Sequence, residues 1–114
     1  MTHHIVKSWT YLFDAIASGK KTHDIRDMTE RDYKVGDTMG LRRYDMGKGE
    51  YTGEKATVLI TYITDNKTPC AFSSAVLDKK FGILSVKLLD KYTFPSQADI
   101  EKYENGIHAI WKNE

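Results

Sequence analysis

The spacing of hydrophobic residues changes several times along the chain, and each change predicts an element. Trp9, Leu12, Phe13 and Ile16 follow the i, i+3, i+4, i+7 spacing of one helix face. This predicts a short helix from Trp9 to Ser18, with Trp9 on its core side. Gly19 ends it, because glycine takes the left-handed conformation at little cost. Residues 3–8 read as a short strand before that helix, and residues 21–26 as a strand after it. The charged stretch from Asp27 to Lys34 reads as a loop. Val35-Gly36-Asp37 reads as a tight turn into a strand from Thr38 to Tyr44, and the glycine-rich stretch from Met46 to Glu50 as a hairpin tip. Ala56 to Thr64 is the clearest strand: Val58, Ile60 and Tyr62 alternate with Thr57, Leu59 and Thr61, and β-branched residues dominate. Asp65 to Pro69 forms another loop, and Phe81 to Leu89 the last strand. The sum is an α+β chain: a small, partly closed, mainly antiparallel β-barrel with one early helix.

The end of the chain carries a different pattern. Ile100, Tyr103, Ile107 and Ile110 form a helical stripe behind Pro95-Ser96, and Ser96 with Asp99 resembles the start of a capped helix. Gly106 weakens such a helix by up to about 1 kcal/mol. The expected organisation is a barrel over residues 1–90 and a C-terminal helical extension over residues 91–114, packed on the barrel or on a partner protein.

Composition narrows the function classes. A chain of 114 residues fits one domain. No apolar run is long enough to cross a bilayer, and the N-terminus lacks the apolar stretch of a signal peptide. Cys70 is the single cysteine, so no internal disulfide can form and a reducing cytoplasm is the expected location. The net charge of +1 argues against a grip on long duplex DNA, which calls for a clear basic excess. Contact with nucleic acid is then expected to be local, with one nucleotide or one loop.

The chemistry-bearing residues concentrate between Ser18 and Asp27. On a strand, Lys20, Thr22, Asp24 and Arg26 share one face, and Lys21, His23 and Ile25 share the other. With Ile25 pointing into the core, Lys21 would lean towards the barrel mouth. Partial desolvation there would suit a lysine base, or a lysine that holds a phosphate or carbonyl. On the residues alone a solvated surface is the better reading: lysines after a helix end meet the helix dipole favourably, and Arg26 with Asp24 or Asp27 reads as an exposed ion pair worth little. His3 and His4 are adjacent, diverge on a strand and do not make a metal site; neither a metal nor a cofactor is expected. Cys70 reads as a small apolar residue and His23 as a solvated one. Arg42 and Arg43 project to opposite faces, so one can reach a cleft and contact a phosphate. Trp9 and Tyr44 are the aromatics that could stack on a base, although the spacing places Trp9 in the core.

Ser18-Gly19-Lys20-Lys21-Thr22, then Ile25-Arg26, then Val35-Gly36-Asp37 resembles the signature of ASCH domains. Arg42-Arg43-Tyr44-Asp45 with Gly49-Glu50-Tyr51-Thr52-Gly53 is similar to a bacterial and phage subgroup known only as a domain of unknown function. The resemblance covers about residues 3–90. It implies a PUA-like barrel, in which related folds bind RNA or modified bases beside this turn. The implied ligand contacts are Lys20, Lys21, Thr22, Asp24, Arg26, Arg42 and Tyr44. A small ASCH amidohydrolase that deacylates N4-acetylcytidine is similar across Lys21-Thr22, Ile25-Arg26-Asp27, Glu30 and Lys34-Val35-Gly36-Asp37. Its catalytic lysine falls on Lys21. Its threonine falls on position 24, here Asp24. Its glutamate has no clean counterpart, with Asp78 only a loose candidate. The leading expectation is an RNA- or nucleotide-binding module. The alternatives are an amidohydrolase using Lys21 and Asp24, and a phage-type modulator that binds a protein through its C-terminal helix.

Overall fold

The structure is a computed structural model, and residues 1–93 are described; of Ser73 and Ser74 only the backbone is described. The chain is mainly β. The order is β1 (His3–Trp9), α1 (Thr10–Ala17), β2 (His23–Asp27), β3 (Thr38–Asp45), β4 (Glu50–Thr64), the single turn α2 (Ser73–Val76) and β5 (Phe81–Thr93). The strands form one sheet in the order β1-β3-β4-β5-β2, curled into a half-barrel. Every pairing is antiparallel except β1 with β3, which is parallel.

Alternation along the strands explains the curl. Val6, Met39, Leu41, Val58, Ile60 and Leu84 project to the concave face and are buried, and Phe13 and Ile16 of α1 fill that hollow. Arg43 fastens the helix there. Its Nε donates to Asp14 Oδ1 at 2.9 Å and its Nη2 to Asp14 Oδ2 at 3.0 Å, a two-pronged contact that carbon-chain amines cannot match. The hydrogen bond from Arg43 holds the Asp14 carboxyl below its ordinary range. The helix ends as its sequence requires: Gly19 has φ +79° and its N–H donates to Ile16 O at 3.0 Å. A Cβ on Gly19 would meet nothing within 4 Å. Gly19→Ala therefore costs only backbone strain, about 1 kcal/mol. A urea titration that finds no loss would show that the turn relaxes to another geometry.

Asp37 fixes the start of the sheet. Its Oδ2 accepts from His4 Nε2 at 2.9 Å and from Lys34 N–H at 3.0 Å, and its Oδ1 accepts from Thr2 N–H at 3.0 Å. Its backbone N–H donates to Lys34 O, while its carbonyl accepts from Ile60 N–H. One side chain thus ties β1, the turn before β3 and the register of β1 on β3. Tyr33 closes the group, its ring centroid 4.6 Å from that of His4. Burial pushes the Asp37 carboxyl up, but the hydrogen bonds from His4, Thr2 and Lys34 outweigh it and hold the group below its ordinary value.

The half-barrel leaves β1 and β2 as its two edges. The curl brings them close enough for side chains to span the gap. Arg26 Nη2 donates to Lys7 O at 3.2 Å, and Arg31 Nη2 donates to Ile5 O at 2.9 Å. Guanidinium groups stand where a closed barrel would have a backbone ladder.

Several expectations change. The helix begins at Thr10; Trp9 is its N-cap, in extended conformation, and is 43 % exposed rather than in the core. Ile25 is 54 % exposed and Asp24 is buried, so β2 presents the opposite face to the interior. Arg26 and Asp24 accordingly form a partly buried pair at 2.7 Å, not a solvated one. Cys70 is exposed. β4 starts at Glu50 rather than Ala56, running through a bulge around Gly53: pairing shifts from Arg42 with Lys55 to Tyr44 with Tyr51, and Gly53 has φ +89°. β5 continues to Thr93, and α2 was not foreseen. The predicted C-terminal helix lies outside the described residues from 94 onward.

Candidate functional site

A cleft of about 310 Å3 opens at the seam between the two edge strands, lined by Lys7, Ser8, Trp9, Leu12, Asp24, Ile25 and Arg26. Three elements build it. The end of β1 supplies Lys7, Ser8 and Trp9, the first turns of α1 supply Leu12, and β2 supplies Asp24, Ile25 and Arg26. Alternation on β1 turns Ser8 inward, where it is buried, and leaves Lys7 and Trp9 towards solvent. On β2 it turns Asp24 inward.

The polar groups of the cleft are held by one another. Arg26 Nε donates to Asp24 Oδ2 at 2.7 Å while its Nη2 caps Lys7 O, so the guanidinium is fixed by both walls. Lys7, which lines the cleft, holds its ammonium over the Tyr44 ring, with Nζ 4.0 Å from the centroid, a favourable cation–π contact. Lys7, Trp9, Asp24 and Arg26 therefore all line one small opening.

The residues expected from the sequence divide into two groups. Asp24 and Arg26 line the cleft; Tyr44 does not, though the ammonium of the lining residue Lys7 lies over its ring. Lys20, Lys21 and Thr22 do not line it. Lys20 and Thr22 are exposed, and Lys21 Nζ lies 3.0 Å from His23 Nε2 on the outer surface. Arg42 is half-buried on β3 beside Lys7 in the register, and is not part of the lining. The amine of the cleft is thus Lys7, from the other edge strand. Alternation of Lys7 with Trp9 in a strand reading was the available signal for it; the partnership of β1 with β2 across the seam leaves no local mark in the sequence.

The turn after α1 borders a different hollow. Ala17 and Ser18 help line a cavity of about 440 Å3, with Phe13, Asp14, Glu54 and Lys91 among its walls. Its two carboxylates are both engaged by Arg43, with Glu54 Oε1 at 3.7 Å from Nη1. A third, more apolar groove of about 400 Å3 lies between Met28, Tyr33, Val35 and Tyr62. All three hollows carry cations, carboxylates and an exposed aromatic ring; of these three, the seam cleft is the one whose carboxylate, Asp24, is buried.

Among the described residues, no group of three or more His, Cys, Asp or Glu side chains could hold a metal ion, and no helix is long and apolar enough to cross a membrane. His3 and His4, adjacent in sequence, are both buried and separately bonded, His3 Nδ1 to Thr38 Oγ1 at 2.7 Å and His4 to Asp37. No curated protein matches the chain. The motifs that build the turn at Asp37, the seam and the β3–β4 hairpin all fall within residues 2–86, the stretch matched by the family model described as a domain of unknown function, DUF3850, and the chain belongs to that family.

Proposed function

We propose that this chain is a small ASCH-type, PUA-like binding module that holds a nucleotide, free or within an RNA, in the seam cleft. The supporting observation is the convergence of Lys7, Trp9, Asp24 and Arg26 on one opening. A base stacks on the exposed indole, a phosphate meets the ammonium and guanidinium, and the carboxylate accepts from a sugar hydroxyl or an exocyclic amine. The volume sits at the small end of ordinary ligand pockets, which suits one nucleotide unit. A net charge of +1 suits local recognition rather than a long electrostatic track. The resemblance to ASCH domains points the same way, with the site moved from the Ser18–Thr22 turn to the seam.

Titration calorimetry with a panel of nucleotides, modified nucleosides and short RNAs tests this reading. Lys7→Ala and Trp9→Ala should each weaken binding about tenfold, since a cation–phosphate contact or a stacked base is worth about 1–3 kcal/mol. Undiminished affinity in both variants would remove the ligand from this cleft. The panel includes an N-acylated cytidine. Release of cytidine, abolished by Lys21→Ala in a folded protein, would replace the binding module with the amidohydrolase in which Lys21 and Asp24 act on the amide.

A further inference from the structure

The exposed aromatic residues are not scattered. Trp9 on β1 is the register partner of Tyr44 on β3, and Tyr44 is the partner of Tyr51 on β4. Lateral partners on neighbouring strands project to the same face, so the three rings form a row across three strands. Tyr44 and Tyr51 meet edge to face with centroids 5.1 Å apart. Tyr11, in the first turn of α1, extends the row at the other end, its centroid 6.3 Å from that of Trp9. Tyr11 is 60 % exposed and Tyr51 36 % exposed, alongside the open indole of Trp9.

Sheet stability accounts for only part of this row. A cross-strand aromatic pair stabilises a hairpin, which suffices for Tyr44 with Tyr51. It does not account for Trp9 and Tyr11, which spend large apolar surfaces on solvent while smaller residues fill the core. The charges beside the row are informative. One position along the same face lie Lys7 and Arg42, themselves register partners. The nearby acids Asp45 and Glu50 are partners of each other one position past Tyr44 and Tyr51, so alternation turns them to the opposite face. A line of aromatic rings therefore runs beside Lys7 and Arg42, with Asp45 and Glu50 on the opposite face. A single strand of nucleic acid has matching chemistry: bases that stack and a phosphate chain that follows the positive side.

We propose that the seam cleft is part of a stacking platform and that the ligand is a short single-stranded RNA, with one nucleotide in the cleft and its neighbours on Tyr11 or on Tyr51. This rests on reading the cleft as a nucleotide site and adds the polymer to it. RNA is favoured over DNA by Asp24, the buried acceptor at the cleft, because a carboxylate accepts readily from ribose hydroxyls.

Fluorescence anisotropy on the full chain tests it, with a labelled single-stranded RNA of about six nucleotides, chosen to span a few stacked bases. The same sequence as DNA, the same RNA as a duplex, and mononucleotides as competitors complete the set. The single-stranded RNA should bind at least tenfold more tightly than any mononucleotide and than the DNA, and the duplex should bind weakly. Tyr11→Ala and Tyr51→Ala, both at exposed positions, should each weaken the oligomer about fivefold or more and leave mononucleotide affinity unchanged. Mononucleotide binding with no gain from the oligomer would overturn the platform and leave the cleft standing. Binding of neither would overturn both. Equal affinity for DNA or duplex, or tyrosine variants with unchanged oligomer affinity, would overturn the proposal as stated.

Discussion

Asp37→Ala should lower the unfolding free energy by about 3 kcal/mol, a large share of what a domain of this size has. The reason is the number of groups that would be left behind. His4, which is 6 % exposed in its side chain, loses its acceptor, and the N–H groups of Thr2 and Lys34 lose theirs. A buried donor without an acceptor costs about 1–3 kcal/mol, and here the donors also set where β1 sits on β3. Asp37→Asn keeps the shape and part of the bonding, so its cost should be smaller. The pH dependence separates charge from packing. Because the Asp37 carboxyl lies below its ordinary value of 3.8 in the folded chain, the unfolded chain binds more protons in that range. The ionic contribution is then complete above that value and is lost as the pH falls through the lower, folded one. Urea titrations from about pH 7 down to about pH 3 should show the gap between wild type and Asp37→Asn narrowing at the acid end. A gap of constant size would mean that the carboxylate charge contributes nothing. Asp27 and Asp65 also have lowered values, through hydrogen bonds from Thr29 and from Thr68. They remain in both proteins and cancel in the comparison.

The Asp24–Arg26 pair should respond in a non-additive way. Arg26→Ala leaves the Asp24 carboxylate, 8 % exposed, without its partner and leaves Lys7 O uncapped. The loss should be about 3 kcal/mol, most of it from the stranded charge rather than from a lost attraction. Asp24→Leu alone should also destabilise, though less, because Arg26 is 20 % exposed in its side chain and can turn to water. The double variant Asp24→Leu with Arg26→Met should recover most of the stability, since a buried ion pair gains little over well-packed apolar groups. The same double variant should bind no nucleotide. Thermal unfolding of the four proteins completes the cycle. Additive losses would show that the two side chains act independently and that the seam is held by something else.

The framework of this fold was readable in the sequence because most of its elements obey a single period. Val58 and Ile60 announce their strand, Leu12, Phe13 and Ile16 their helix, and Val35-Gly36-Asp37 its turn. The misreadings have local causes. Gly53, with its positive φ, interrupts the alternation of β4 at the bulge, so the sequence reading starts that strand only at Ala56 and leaves residues 51–55 unassigned. In the five residues of β2 the only aliphatic side chain is Ile25, and hydrophobicity alone assigns it to the core; the interior takes Asp24 instead, since the seam provides it with Arg26. Trp9 matched the helix stripe by spacing but precedes the first helical residue, so its direction follows the strand. The site suffered most. Lys7 gained its place from a parallel pairing with β3 and an approach to β2, neither of which leaves a pattern in the residues around it. The motif residues Lys20, Lys21 and Thr22 drew attention by their density of charge, yet the turn that carries them opens on the other side of α1.

The strand order also bears on how the native state is reached. β3 and β4 are joined by a tight hairpin, and their pairing closes a small loop. β1 reaches its partner only when His3 meets Thr38, and β2 only when His23 meets Ser85. Contacts between distant parts of the chain carry the larger closure entropy and come late in folding. The two walls of the cleft are these same two strands, so the cleft should be completed near the end of the folding route and should open early on the way back. A ligand held there should act as a brake on unfolding while leaving the refolding rate almost untouched.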